Sequence, residues 1–116
     1  MKTRNAVFAT LLLFAASLVT SFAASIDTAA AQAQLMSNKC NRCHATDKEK
    51  VGPALTTIAK KYEGKKDAEN NLYKLLTFPT VIEVDGAKEE HKIVKPADES
   101  GTRNLVRWIL SLNKKS

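Results

Sequence analysis

The chain has 116 residues, 18 basic against 12 acidic, and a formal net charge of +6. That length carries one small domain, with no internal repeat, no low-complexity linker and no second domain. The basic excess does not read as a nucleic-acid surface, because no aromatic residues interleave with the lysines to stack on bases.

Residues 1–23 are expected to be a secretory signal peptide. Lys2 and Arg4 form its positive start, Val7 to Val19 an apolar run rich in Leu and Ala, and Ser21-Phe22-Ala23 the small residues of a cleavage site after Ala23. The competing reading is an uncleaved anchor. Thr10 and Ser17 interrupt the apolar run, however, and it falls short of the ~20 residues that span a bilayer. No stable membrane insertion is therefore expected after cleavage. Residues 24–116 then form the mature domain, with 16 basic against 12 acidic residues and a net charge of +4. A domain this small buries only about 60–70% of its unfolded surface and is often marginal without a staple.

The mature chain reads as helical from about Ile26, through Ala29, Ala30, Ala31 and Ala33, with Asp27 as N-cap. Leu35 and Met36 follow on an apolar face, and Met36 is expected to point into the core. This helix is predicted to run straight into Cys40-Asn41-Arg42-Cys43-His44. Two cysteines three apart with histidine directly after them read as a c-type haem attachment site. Each thiol adds across one vinyl group of haem, and two intervening residues let both sulfurs reach from one helical turn. His44 is then placed as the proximal iron ligand. A thioredoxin-like redox pair would expect a preceding strand in a βαβ unit, which is not found. A structural zinc site lacks its other half, since the only remaining histidine is His91. A chance disulfide is the third alternative. Covalent haem would also supply the missing staple, and its attachment outside the bacterial cytoplasm agrees with an export signal, which places the protein in the periplasm.

Residues 45–52 are polar and read as a loop. Val51-Gly52-Pro53 opens a second helix, with Pro53 in its first turn. Leu55, Ile58, Ala59 and Tyr62 lie on one helical face, and Gly64 ends the helix. Asp67 is placed to cap a third helix through Ala68, Leu72, Leu75 and Leu76, which Phe78-Pro79 stops. Val81, Ile82 and Val84 are β-branched or apolar strand formers, and Asp85-Gly86 is a two-residue turn signal, so residues 80–96 predict a short hairpin or folded loop closed by Pro96. Asp98 and Glu99 begin the last helix, where Leu105, Trp108, Ile109 and Leu112 repeat at helical spacing and Lys114 and Lys115 sit at the negative end. Trp108 is first of all a core residue.

These pieces run in an order that resembles the small bacterial class I cytochromes c, of the c-551/c5 type. The resemblance rests on Cys40–His44, Val51-Gly52-Pro53, Ile58-Ala59-Lys60-Lys61-Tyr62-Glu63-Gly64 and Leu105-Val106-Arg107-Trp108-Ile109-Leu110-Ser111-Leu112. It implies an all-α fold of about four helices around one covalent haem c, with the first and last helices crossing. It also implies that the Pro53 carbonyl accepts the Nδ1–H of His44, fixing the tautomer that leaves Nε2 for iron. The chain departs from the family pattern at the distal side. Such proteins present a methionine there, and no methionine lies between Cys40 and Ser116. His91 stands seventeen residues before Trp108, within one residue of where the family places its methionine, and is the expected replacement ligand. Lys92 or no protein group at all is the alternative.

The resemblance implies an electron carrier. No nucleophile–base pair or acid–base constellation suggests an enzyme. The alternatives are a ligand-binding or sensing haem protein with an open distal site, and a haem subunit of a larger periplasmic oxidoreductase. Lysines such as Lys48, Lys50, Lys60, Lys61, Lys65 and Lys66 would steer an acidic redox partner if they ring the haem edge.

Overall fold

The computed structural model describes residue 17, residues 25–95 and residues 98–115. The expected signal peptide, apart from Ser17, and Pro96 lie outside the described residues. The elements are α1 (Thr28–Ser37), a 3-10 turn (Cys40–Arg42), α2 (Leu55–Tyr62), α3 (Ala68–Thr77), β1 (Thr80–Val84), β2 (Ala87–His91) and α4 (Glu99–Ser111), which tightens into a final 3-10 turn (Leu112–Lys115). The expected four helices and short hairpin are thus present. Helix α4 is the centre of the packing, and α1, α2 and α3 all lie against it.

The reason is written along α4. Thr102, Leu105, Val106, Trp108 and Ile109 are buried, and Leu112 continues the same face. Asp98 caps the start, its Oδ2 accepting from the Gly101 N–H at 3.1 Å. Ala31 and Leu35 of α1, Leu55 and Ala59 of α2, and Leu72 and Leu76 of α3 complete one core. Each fully buried leucine of that core contributes roughly 1.5–3 kcal/mol through removal of apolar area from water.

Helix α1 crosses α4 where both present small groups. Ala31 and Thr102 are wholly buried, and Gln34 Nε2 donates to Thr102 Oγ1 at 3.4 Å. The start of α1 is tied to the same helix by a reciprocal pair. The Asp27 N–H donates to Asn104 Oδ1, and Asn104 Nδ2 donates to the Asp27 carbonyl, both at 2.8 Å. Asp27 also caps α1 as expected, its Oδ1 accepting from the Ala30 N–H at 2.9 Å.

Four expectations need correction. First, α1 does not run into the cysteines. Its C-cap Asn38 turns back on Gln34, with backbone N–H and side-chain Nδ2 both donating to the Gln34 carbonyl. Lys39 then takes a left-handed conformation with φ 59°, so the cysteines start a separate turn. Second, Met36 is 57% exposed. The buried stripe of α1 is Ala31 and Leu35, one helical turn apart, and Met36 is rotated past it toward the surface. Third, Pro53 lies before α2 rather than in its first turn. Ala54 is the N-cap, buried and without a capping side chain. The first N–H groups of the helix are instead satisfied by the preceding loop, Leu55 N to Ala45 O at 2.9 Å and Thr56 N to Thr46 O at 3.0 Å. Fourth, Asp67 occupies the N-cap position of α3 but caps nothing, since its φ of 61° turns the carboxylate away from the helix N–H groups; it accepts from Asn70 Nδ2 instead.

The hairpin has the predicted turn. Asp85 and Gly86 both have positive φ, 50° and 80°, which gives the type I′ geometry matching the twist of the flanking strands. The register pairs Thr80 with His91 and Val84 with Ala87. After the hairpin, Val94 plugs into the core at 2% exposure, and its N–H donates to the Leu76 carbonyl at 2.8 Å. The Lys95 N–H then donates to Asn38 Oδ1 at 2.7 Å. A partly exposed ion network staples α3 to α4. Glu69 receives Arg107 Nε at 3.1 Å and Arg103 Nη1 at 3.3 Å, and the hydrogen bond from Arg107 leads in holding its carboxyl below the usual range.

Candidate functional site

The 3-10 turn puts three reactive side chains on a single turn of chain. Cys43 and His44 both donate their backbone N–H to the Cys40 carbonyl, at 3.1 and 2.9 Å. Cys40 is half-buried against the core and Cys43 is exposed, and no disulfide joins them. Burial pushes the Cys40 thiol up, with the neighbouring Cys43 adding to the rise and the local backbone opposing it.

His44 is held from several sides. Its Nδ1 lies 2.7 Å from the Pro53 carbonyl oxygen. Because a carbonyl only accepts, Nδ1 carries the proton and Nε2 keeps its lone pair for a metal. The loop that brings Pro53 back is closed by Gly52 N to Cys43 O at 2.8 Å, by Lys50 N to Gly52 O at 3.1 Å, and by Lys50 Nζ to Asn41 O at 2.8 Å. Gly52 makes this approach feasible. A Cβ there would stand 2.7 Å from His44 Cε1 and 3.1 Å from Nδ1, inside van der Waals contact. Thus the glycine is a flat backrest for the imidazole.

His91 ends β2 and faces His44. The ring centres are 6.2 Å apart with the planes inclined at 52°. A metal between two imidazoles, each bound at about 2.0 Å as in other metal–imidazole sites, holds the ring centres about 6 Å apart. The pair therefore fits one iron between them. His91 is half-buried, and its Nδ1 is buried with no hydrogen-bond partner. Burial, and then the neighbouring His44, push its pKa below the ordinary histidine value; the Lys92 backbone opposes this weakly, without satisfying Nδ1.

Two open clefts lie on the surface, one of them against His44. One, of about 550 Å³, is lined by Tyr62, Asn71, Lys74, Leu75, Phe78 and Thr80, and Thr80 is the cross-strand partner of His91. The other, of about 540 Å³, takes in His44 together with Leu35, Met36, Leu55 and Trp108, with Lys48 and Lys50 on its lining. Mostly apolar walls, with His44 on the lining of the second cleft, suit a flat apolar ring carrying a metal. Bound there, haem would be held by thioethers to Cys40 and Cys43, with His44 on the same turn.

The structure thus brings together Cys40, Cys43, His44, Pro53 and His91, all singled out in the sequence. It adds Gly52, quoted in the Val-Gly-Pro element but given no role, and Lys50, which looked like one more surface lysine. It also adds Val94 and Asn38, the anchors behind the hairpin, for which the apolar pair Ile93-Val94 in a charged segment was the only available signal.

Residues 29–113 match the family model described as Cytochrome c. Over 86 residues the chain is 34% identical to cytochrome c-552 of Hydrogenobacter thermophilus, spanning 71% of this chain and 82% of that protein. It is 38% identical over 80 residues to cytochrome c2 of Rhodocyclus tenuis, spanning 65% of this chain and 84% of the relative. Among solved structures, the class 1 cytochrome MtoD of Sideroxydans lithotrophicus is similar with a TM-score of 0.73 and 42% identity, over 76% of this chain and 98% of the other. Cytochrome c552 of Nitrosomonas europaea is similar with a TM-score of 0.58 and 27% identity, over 70% of this chain and 98% of the other.

Proposed function

The chain belongs to the cytochrome c family, as a small class I monohaem c-type electron carrier with covalently bound haem, and from that premise we propose that it works in the periplasm with His44 and His91 as its two iron ligands. The observation that carries the ligand assignment is the 6.2 Å separation of the two facing rings. Haem supplies the one-electron iron couple. His44 would meet it with its tautomer fixed by Pro53, and His91 would meet it from a separate element, the hairpin. Imidazole in place of the family's thioether lowers the reduction potential, because methionine ligation raises it.

The test is His91→Ala in the haem-loaded protein. The oxidised iron should change from low spin to high spin, and added imidazole should restore the original spectrum. A variant that keeps the wild-type low-spin spectrum shows that another group, such as Lys92, holds the distal position.

The partner is read as an acidic protein. Lys48 and Lys50 line the His44 cleft and Lys74 the other, so positive charge stands where a redox partner would approach. Electron-transfer rates with such a partner should fall as salt shortens the Debye length from ~10 Å at 0.1 M to ~3 Å at 1 M. A flat salt dependence would leave these lysines as ordinary solvated charges. Among the described residues, no helix is long and apolar enough to cross a membrane. The periplasmic assignment rests on the leader, and the intact mass of the purified holoprotein checks it, since cleavage after Ala23 leaves a chain beginning at Ala24.

A further inference from the structure

Two rings that share one iron must be held at a set separation, and here they come from distant stretches of chain. His44 belongs to the turn that follows α1. His91 is the last residue of a hairpin whose strands pair only with each other, so the chain on either side places the hairpin. On the entry side that chain is the end of α3. On the exit side, the Val94 N–H returns to α3 through the Leu76 carbonyl at 2.8 Å. The next residue reaches elsewhere, and the Lys95 N–H donates to Asn38 Oδ1 at 2.7 Å. Among the described residues, this is the only hydrogen bond between residues 28–44, which carry the cysteines and His44, and residues 80–95, which carry His91.

Asn38 is built to make that tie. It is the C-cap of α1, and its backbone N–H and its Nδ2 both donate to the Gln34 carbonyl, at 3.1 and 3.0 Å. An amide nitrogen only donates and an amide oxygen only accepts. Anchoring Nδ2 on Gln34 therefore fixes which end of the side chain is left for the Lys95 N–H. On its other side Asn38 leads directly into the attachment turn. Lys39 takes φ 59°, its N–H bonds the Met36 carbonyl at 2.9 Å, and its carbonyl receives the Arg42 N–H at 3.1 Å. One side chain thus joins the end of α1, where the cysteine turn begins, to the segment just past His91.

We propose that Asn38 is a positioning residue for the iron, and that its Oδ1–Lys95 bond sets His91 against His44. The proposal rests on the His44/His91 reading above. Asn38 acts through the chain, from Lys95 back to His91 and from Lys39 forward to His44. Such a support matters over small distances, because a drift of about 0.5 Å in a supporting shell is enough to spoil a site.

The test compares three variants of the haem-loaded protein. In Asn38→Ala both side-chain bonds are lost. Asn38→Asp keeps an acceptor for Lys95 and loses the donor to Gln34. Asn104→Ala is the structural control. Asn104 also ties α1 with two side-chain hydrogen bonds, both 2.8 Å, but at the opposite end, to Asp27. Asn38→Ala and Asn104→Ala should lose similar stability in denaturant. Only Asn38→Ala should show a shifted or second set of low-spin g values in the electron paramagnetic resonance of the oxidised iron. Asn38→Asp should keep the wild-type g values. In the reduced protein, the Lys95 amide should exchange its hydrogen about 2- to 10-fold faster in Asn38→Ala, from the net loss of one hydrogen bond, and at the wild-type rate in Asn104→Ala. If Asn38→Ala keeps the wild-type g values, or Asn104→Ala shifts them as far, Asn38 is a helix cap and the proposal is wrong. If Asn38→Asp shifts them as far as Asn38→Ala, the bond to Lys95 is not the tie, and the proposal fails there too. Failure of the ligand reading shows separately, as a His91→Ala variant that keeps the wild-type low-spin spectrum.

Discussion

Replacing Gly52 with alanine should unseat His44 and destabilise the holoprotein by about 2–5 kcal/mol, combining overpacking with a strained or lost hydrogen bond to Pro53. The added Cβ would meet His44 Cε1 at 2.7 Å, His44 Nδ1 at 3.1 Å and the Cys43 carbonyl oxygen at 3.3 Å. None of the three can retreat cheaply. The Cys43 carbonyl accepts the Gly52 N–H at 2.8 Å, so moving it breaks the loop closure. The ring is pinned through Nδ1, which lies 2.7 Å from the Pro53 carbonyl oxygen. Denaturant unfolding gives the stability change, and the oxidised spectrum reports the ligation. Gly64→Ala is the control. Gly64 also needs its glycine, at φ 67°, but nothing lies within 4 Å of a Cβ there. That variant should lose only about 1 kcal/mol, from left-handed strain, with an unchanged spectrum. If Gly52→Ala is no worse than Gly64→Ala and leaves the spectrum unaltered, the backrest is not needed.

The attachment residues were legible because their chemistry is local. Cys40, Cys43 and His44 must share one turn, and sequence spacing states that directly. The helices were legible for a related reason: Leu105, Trp108, Ile109 and Leu112 declare a face without reference to anything distant. What escaped was set by tertiary contacts. Nothing before Asn38 announces that α1 will stop there, since the left-handed turn at Lys39 is stabilised by where the cysteine turn must go. The N-terminus of α2 reads as uncapped because its acceptors are carbonyls of Ala45 and Thr46, and backbone atoms leave no mark in a sequence. Met36 looked apolar enough for the core, yet which of two adjacent apolar residues faces inward depends on the crossing with α4, where Ala31 and Thr102 set the approach. The hairpin was legible from Asp85-Gly86 and the β-branched run. That it would carry His91 to within 6.2 Å of His44 depends on its anchorage at Val94, which only the folded chain displays.

Trp108→Ala is expected to cost about 3–5 kcal/mol, the range for removing a buried large aromatic, and to change the iron site as well. Trp108 is 5% exposed, and it belongs both to the core and to the wall of the cleft that holds His44, beside Leu35 and Leu55. Against the 5–15 kcal/mol that holds a typical domain together, the loss is a large share. In a domain of this length each kilocalorie lowers the melting temperature by about 4–8 °C, so a drop on the order of 12–40 °C is expected. Leu105→Ala separates the two roles. Leu105 is 1% exposed on the same helix but does not line that cleft. Its truncation should cost a comparable 2–5 kcal/mol and leave the reduction potential close to that of the wild type. Trp108→Ala should in addition lower the potential, because opening the His44 wall admits water, and a more polar surrounding favours the more highly charged oxidised haem. Trp108→Phe, which keeps an aromatic wall, should recover most of the potential with only part of the stability. Equal potentials in Trp108→Ala and Leu105→Ala would confine Trp108 to the core.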